Sequence, residues 1–317
     1  VKKLLRTALG GGLVLGGLAA ANTWLDAHAP VLRNPLSGSS KLYRWRQGHI
    51  YYKVAGEGHP LLLVHGINAA ASSYELRKQF EALSDTFRVY AVDLLGYGLS
   101  DRPDTDYSAK LYVDLLIDFV REEIREAVYV IASSLSAAYI IQAAHRVPDQ
   151  FQKLALICPT GIEKLVEPPG SIQQAVYRFV RSPIIGTAFF NLLVSRASLG
   201  WYLKRSGYFD SSLVTDAMVT DYYATSHQPG AKWAPAAFIS GQLNLRIRDA
   251  FQQLTQPLFI FWGQQAAFTP VENIQAFRRL QPNARIRVFD KARLLPHDEH
   301  ADEFNTLVRG WFNDGLK

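Results

Sequence analysis

Val128-Tyr-Val-Ile-Ala-Ser-Ser-Leu-Ser-Ala-Ala138 is the stretch that decides how this chain is read. Four β-favouring residues, Val128 to Ile131, run into a cluster of small residues, and from Ala137 onward the pattern is helical. A strand that turns at once into a helix, with a serine at the apex, has the layout of a nucleophile elbow. The pattern for that turn is Gly-x-Ser-x-Gly, because small residues two before and two after the serine let the new helix pack closely on neighbouring strands. Here the five positions read Ala132-Ser133-Ser134-Leu135-Ser136, which keep the size without the glycine. Ser134 is the candidate nucleophile.

Short apolar runs flank this stretch on both sides. Leu61 to Val64 has the continuous apolar character of a strand buried on both faces of a parallel sheet, and Phe87 to Val92 reads as the next buried strand. Helical patterns over Ser73–Leu83 and Ala109–Glu123 lie between them and the elbow. Lys153–Cys158, Pro257–Trp262 and Arg285–Phe289 continue the strands, Val271–Leu280 is helical, and a helix over Ala301–Phe312 closes the chain. Leu42–Trp45 and Ile50–Val54 read as a strand pair around Gln47-Gly48. This alternation predicts an α/β fold with a mostly parallel central sheet and flanking helices.

Three motifs in this order resemble the α/β-hydrolase superfamily over roughly residues 48 to 316. They are His65-Gly66 after the first buried strand, Asp93 with Gly96, Gly98 and Ser100 after the second, and the serine elbow. The resemblance implies a hydrolase core over 41–161 and 251–317. The helical, aromatic-rich stretch 162–250 is then similar to a cap that roofs the site, and so many aromatics imply an apolar pocket beneath it. It also implies an oxyanion hole from the backbone N–H groups of Ile67 and Leu135, with His65 and Asp93 shaping their loops.

The same resemblance exposes two departures. The family places an aspartate in Gly-x-x-Asp after the late strand, and here Gly263-Gln264-Gln265-Ala266 puts alanine there. The family's Gly-His precedes a glutamate by five residues, and anchoring on Glu299 puts Arg293-Leu294 in its place. A serine without its base loses roughly six orders of magnitude of turnover. His297, three residues on and about 10 Å of extended chain away, is the stand-in base, with Asp290, Asp298 or Glu299 to orient it. His300 lies close by, and Glu163 is a more distant acid.

Two readings stand at this point. One is a serine hydrolase acting on an apolar lipid- or prenyl-type ester at a membrane, with Ser134 as nucleophile and His297 as base. The other is a non-catalytic relative that keeps pocket and cap as a binding or assembly protein.

Composition bounds the rest. The 317 residues are 48% hydrophobic and 20% charged, as in a folded globular chain with ample core. The net charge of +6 suits an anionic membrane surface or an acidic partner, and its scatter along the chain excludes a nucleic-acid reader. Cys158 is the only cysteine, which rules out an intrachain disulfide and a cysteine metal site. No dinucleotide fingerprint or metal cluster is visible, so no cofactor is expected.

Lys2, Lys3 and Arg6 precede an uncharged run from Thr7 to Trp24, read as a membrane anchor or uncleaved signal over 1–24. Ala19-Ala20-Ala21 offers a cleavage site. Gly12-x-x-x-Gly16 offers a face for a membrane protein partner. The basic flank places the globular part across the membrane, against the pull of Arg33, Lys41, Arg44 and Arg46. Residues 25–40 read as a linker.

Overall fold

The structure, a computed structural model, describes the backbone of residues 2–314 and all side chains among them except those at positions 2–13 and 26. Strands β1 (Ser39–Trp45), β2 (Gly48–Ala55), β3 (Pro60–Val64), β4 (Arg88–Val92), β5 (Val128–Ser133), β6 (Phe151–Ile157), β7 (Leu258–Gly263) and β8 (Arg285–Phe289) form one sheet. Their spatial order is β1-β2-β4-β3-β5-β6-β7-β8. The first two strands are antiparallel neighbours, and from β4 to β8 every pairing is parallel. β3 and β5 are buried along their whole length, as their unbroken apolar runs require. The outer strands carry exposed Lys41, Arg44, Arg285 and Arg287, which keep the open edges soluble.

Helices α2 (Arg77–Leu83) and α13 (Ala301–Asn313) pack together, and α3 (Ala109–Asp118), α4 (Ser134–Arg146), α10 (Arg248–Gln252) and α11 (Ile274–Leu280) make a second group. A 3-10 turn over Ser73–Leu76 leads into α2. The helix expected to reach Glu123 is α-helical only to Asp118. It widens into a π turn over Phe119–Ile124, ended by Arg125 at φ 64°. This turn carries Phe119 edge-on against Tyr52 and Tyr43, and Asp118 accepts from Trp45 Nε1 at 3.0 Å.

Between β6 and α10 the chain forms α5 (Ser171–Arg181), α6 (Ile185–Leu193), α7 (Arg196–Tyr202), α8 (Asp216–Ser226) and α9 (Trp233–Ile239). These helices build a second apolar cluster around Phe190, Val194, Leu203, Tyr208 and Tyr222, into which Leu294 and Leu295 reach from the late core loop.

At the N-terminus α1 (Lys2–Ala27) is one helix, running past the expected end of the apolar segment. The expected anchor rests largely on side chains at 2–13, and Gly12 of the glycine pair is among them; these lie outside the described residues. Among the described residues no helix is long and apolar enough to cross a membrane.

The cap and the late loop are tied to α2 by one buried carboxylate. Asp298, on the single-turn α12 (Pro296–Glu299), receives Arg77 at 2.7 Å and Lys78 at 2.8 Å, and also accepts from the Tyr208 hydroxyl. Burial pushes this carboxyl up, but Arg77, Lys78 and Tyr208 outweigh it and hold Asp298 below the ordinary value. Asp298→Ala leaves Arg77 without its buried counter-charge, and a loss of about 3 kcal/mol is expected in urea unfolding.

Candidate functional site

Ser134 is built into strain by its surroundings. Ser133 ends β5 extended, at φ −108°, and Ser134 opens α4 at φ 54°, a left-handed conformation that costs a non-glycine residue about 1–3 kcal/mol. The flanking Ala132 and Ser136 are wholly buried, which is why only small side chains stand there. Thr160 N–H reaches the Ser134 carbonyl at 3.4 Å. The turn delivers Ser134 to the wall of a cavity of about 720 Å³.

Ile67 and Asn68 line the same cavity, on the loop that follows β3. His65 fixes that loop: its Nε2 accepts from Leu94 N–H at 3.1 Å, so its Nδ1 carries the proton and donates to Gly66 O at 2.7 Å. Asp93 accepts from Ser73 and Leu99 N–H at 2.7 and 2.8 Å, shaping the next loop. Leu135 is buried in the first turn of α4, where backbone N–H groups have no intrahelical acceptor.

The remaining walls are apolar or neutral. Leu193, Leu199, Trp201, Phe238, Ile239 and Phe268 line the cavity with Leu294, and Tyr202, Tyr222, Ser198 and Ser206 add hydroxyls. Among the described residues, none that lines the cavity carries a carboxylate, imidazole, ammonium or guanidinium group. Burial pushes Tyr202 up to about 12 and Tyr222 well above its ordinary value, so both remain neutral donors.

Leu294, which the sequence reading set at the base position, lines the same cavity as Ser134. Ala266, at the acid position, is buried in the core cluster on which Leu294 packs. Gln265, a residue the sequence did not single out, joins the two loops. Its N–H donates to Ala292 O at 2.9 Å, its Oε1 accepts from Ala292 N–H at 3.1 Å, and its Nε2 donates to Asp290 at 3.0 Å.

The expected stand-in base is not brought to Ser134. Pro296 starts α12, and this turn sends His297 into the core, 0% exposed and outside the lining of the Ser134 cavity. Its ring lies edge-on to Phe304, its Nε2 is 4.0 Å from Glu75 Oε1, and Gln79 Nε2 holds its carbonyl at 2.6 Å.

None of the proposed orienters serves it as one. Asp298 is held by Arg77 and Lys78. Glu299 accepts from the N–H groups of Phe209 and Arg293 at 2.6 and 2.8 Å, Asp290 is held by Gln265, and Glu163 is exposed. His300 stacks on Phe289. Cys158 is buried, and burial pushes its thiol up to about 12, which makes it inert.

Glu75 is the polar group that sequence reasoning missed. It sits between Tyr74 and Leu76 with nothing in the pattern to mark it as interior, yet it is buried, receives Gly66 N–H at 3.1 Å and is hydrogen-bonded by the Ser133 side chain. Burial raises its carboxyl to about 7 and lowers His297 to about 4. In the folded core near pH 6 both are neutral. Unfolded, with ordinary values of 4.5 and 6.5, they are both charged between those limits. Folding then takes up a proton at Glu75 and releases one at His297, and the two pH slopes oppose each other.

Glu75→Gln removes one slope. Stability is then expected to rise with pH from about 4 to 6.5, by about 3 kcal/mol, as the unfolded His297 gives up its proton. His297→Gln should do the reverse, with stability falling as pH rises from about 4.5 to 7. Urea unfolding across this range reads both slopes, and flat profiles in both variants would contradict the pairing.

The comparisons agree with this architecture. A family model described as the alpha/beta hydrolase family matches residues 61–307. The 2-hydroxymuconate semialdehyde hydrolase of Pseudomonas putida is 24% identical over 263 residues, covering 81% of this chain and 88% of that protein. The pimeloyl-[acyl-carrier protein] methyl ester esterase of Vibrio cholerae is 23% identical over 257 residues, covering 80% and 94%. Among solved structures, a mutant meta-cleavage product hydrolase aligns with a TM-score of 0.68 at 25% identity over 88% of this chain and 98% of that one. An alpha/beta hydrolase fold protein from Burkholderia ambifaria aligns with a TM-score of 0.69 at 24% identity, over 89% and 99%. Sheet order, serine turn and family match over most of the length lead to one conclusion: the chain belongs to the alpha/beta hydrolase family.

Proposed function

We propose that this protein is a binding member of the family that has given up triad chemistry. It takes up a neutral apolar molecule of lipid- or prenyl-ester type, and its N-terminal segment keeps it at a membrane. One observation carries the reading: Leu294 stands in the base position on the wall of the cavity that Ser134 lines, and among the described residues no proton acceptor of ordinary basicity lines that cavity. A serine hydroxyl needs a base within about 3 Å to become a nucleophile near neutral pH. His297 makes no such contact.

The cavity volume, about 720 Å³, suits a ligand of drug or lipid size, and the neutral walls select against charged ones. Backbone N–H groups of Ile67 and Leu135 serve as a docking point for a ligand carbonyl. In the catalytic relatives that arrangement holds an oxyanion; here it holds a ground-state oxygen. A relative named as a methyl ester esterase supports an ester or other carbonyl compound as the ligand.

Restoring the missing groups tests the assignment. Medium-chain nitrophenyl esters should be turned over by the wild type no faster than by Ser134→Ala. The double variant Leu294→His with Ala266→Asp should raise kcat about 100-fold or more, the share a positioned general base supplies. Wild-type turnover that disappears in Ser134→Ala, together with rapid fluorophosphonate labelling of Ser134, would sink the binding reading and return the chain to the active hydrolases.

A further inference from the structure

The outer face of the cap is more apolar than a water-exposed surface needs to be. Helix α6 is split along its length: Phe190 faces the cap cluster, while Ile185, Phe189, Leu192 and Leu193, at helical spacings of four, seven and eight, are exposed. Phe179 of α5 packs edge-on against Phe189 at 5.4 Å, which joins the outer faces of the two helices. Ile172, seven residues before Phe179 on α5, is 78% exposed, Leu192 is 70%, and Trp201, which shares the cavity rim with Leu193, is 66%. A contiguous patch of this kind marks an interaction surface.

Three further observations select the occupant. From Pro168 to Phe209 the sequence carries five basic residues and no acidic one, and Arg178, Arg196, Lys204 and Arg205 are exposed. This favours an anionic surface. The patch is continuous with the cavity, since Leu193, Trp201, Ile239 and Phe268 are exposed and also line it. Finally, α1 is fastened to this part of the cap. Asn22, buried, donates to Ile184 O at 3.0 Å and accepts from Asn191 of α6 at 3.2 Å, so the N-terminal helix and the apolar face share one side of the molecule.

We propose that the face formed by α5, α6 and α7 docks on an anionic lipid bilayer, and that the cavity draws its ligand from the lipid through the mouth at Trp201 and Phe268. The inference rests on the apolar-ligand reading of the cavity. It adds where the ligand enters and which surface of the protein meets the membrane. Trp201 suits the headgroup boundary, where an aromatic ring with one polar edge is most stable. A second copy of the chain is a poorer occupant, because the cationic side chains around the patch would then face their own kind.

The test uses the full chain with Leu192→Cys carrying an environment-sensitive thiol fluorophore; Cys158 is buried and does not compete. With vesicles of phosphatidylcholine and phosphatidylglycerol the label should shift to the blue and be quenched by shallow nitroxide lipids. The effect should be weaker with phosphatidylcholine alone. A second arm uses Ile172→Glu with Leu192→Glu, neither of which lines the cavity. This variant should slow transfer of a pyrene-labelled fatty acid methyl ester from vesicles by about tenfold or more, from the lost burial of two side chains. Its affinity for the soluble dye N-phenyl-1-naphthylamine should stay within about twofold, a difference well under 1 kcal/mol. A label indifferent to lipid, or transfer at the wild-type rate, overturns the docking face. So does a label shielded by raising protein concentration without lipid, which would assign the face to a second copy. Failure of the wild type to bind the dye overturns the cavity reading instead, and leaves the lipid-quenching result to decide the docking face.

Discussion

The left-handed backbone at Ser134 is the constraint on which the centre of the molecule depends. Its cost of about 1–3 kcal/mol is tolerated only because the sheet and α4 leave the chain no other route. β5 lies between β3 and β6, and every residue from Leu135 to Ile141 is buried, so relaxing the turn would lift α4 from the sheet. Ala132 and Ser136 keep this arrangement without the usual glycines because what the turn needs there is small volume. The elbow is thus maintained by packing whether or not the serine reacts. Its persistence is evidence about the fold more than about the chemistry.

That distinction explains what could be read from the sequence. β3 and β7 were legible because a strand covered on both faces is apolar along its length, and β4 and β5 because their runs are nearly so. Ala266 was counted from the strand end at Gly263 and Leu294 back from Glu299, and the structure places Leu294 on the cavity wall and Ala266 in the core. Less accessible was anything set by the direction of a side chain within a loop. His297 is three residues from the base position, and only the turn begun by Pro296 determines that its ring enters the core. Glu75 escaped notice because one carboxylate at a helix start normally faces water. The π turn after Asp118 has no sequence signature, since it answers to how Phe119 meets Tyr43 and Tyr52.

Polar chemistry has not vanished from this region; it lies behind the elbow. The cavity wall is neutral, while Glu75, His297 and Asp298 are interior, with Ser133 rather than Ser134 bonded to Glu75. A neutral carboxyl beside a neutral imidazole avoids the desolvation that a buried ion pair would suffer. Asp298 stays charged because Arg77 and Lys78 come to it. The first pair is neutralised by burial and the second carboxylate by partners, and both devices brace the loop that carries Leu294.

Ala266 and Leu294 are best understood as one change. A carboxylate at 266 would be almost fully buried, within the apolar cluster against which Leu294 packs. An unpaired charge there costs several kcal/mol, more than a small part of the total stability of a domain. With leucine at 294, an acid at 266 would lie buried without a counter-charge, and alanine avoids that cost. The hydrogen-bonding work of joining the two loops then falls to Gln265, an uncharged side chain that both donates and accepts and needs no counter-ion. The two loops beside the Ser134 cavity are thereby joined by uncharged groups, in keeping with the neutral wall to which Leu294 contributes.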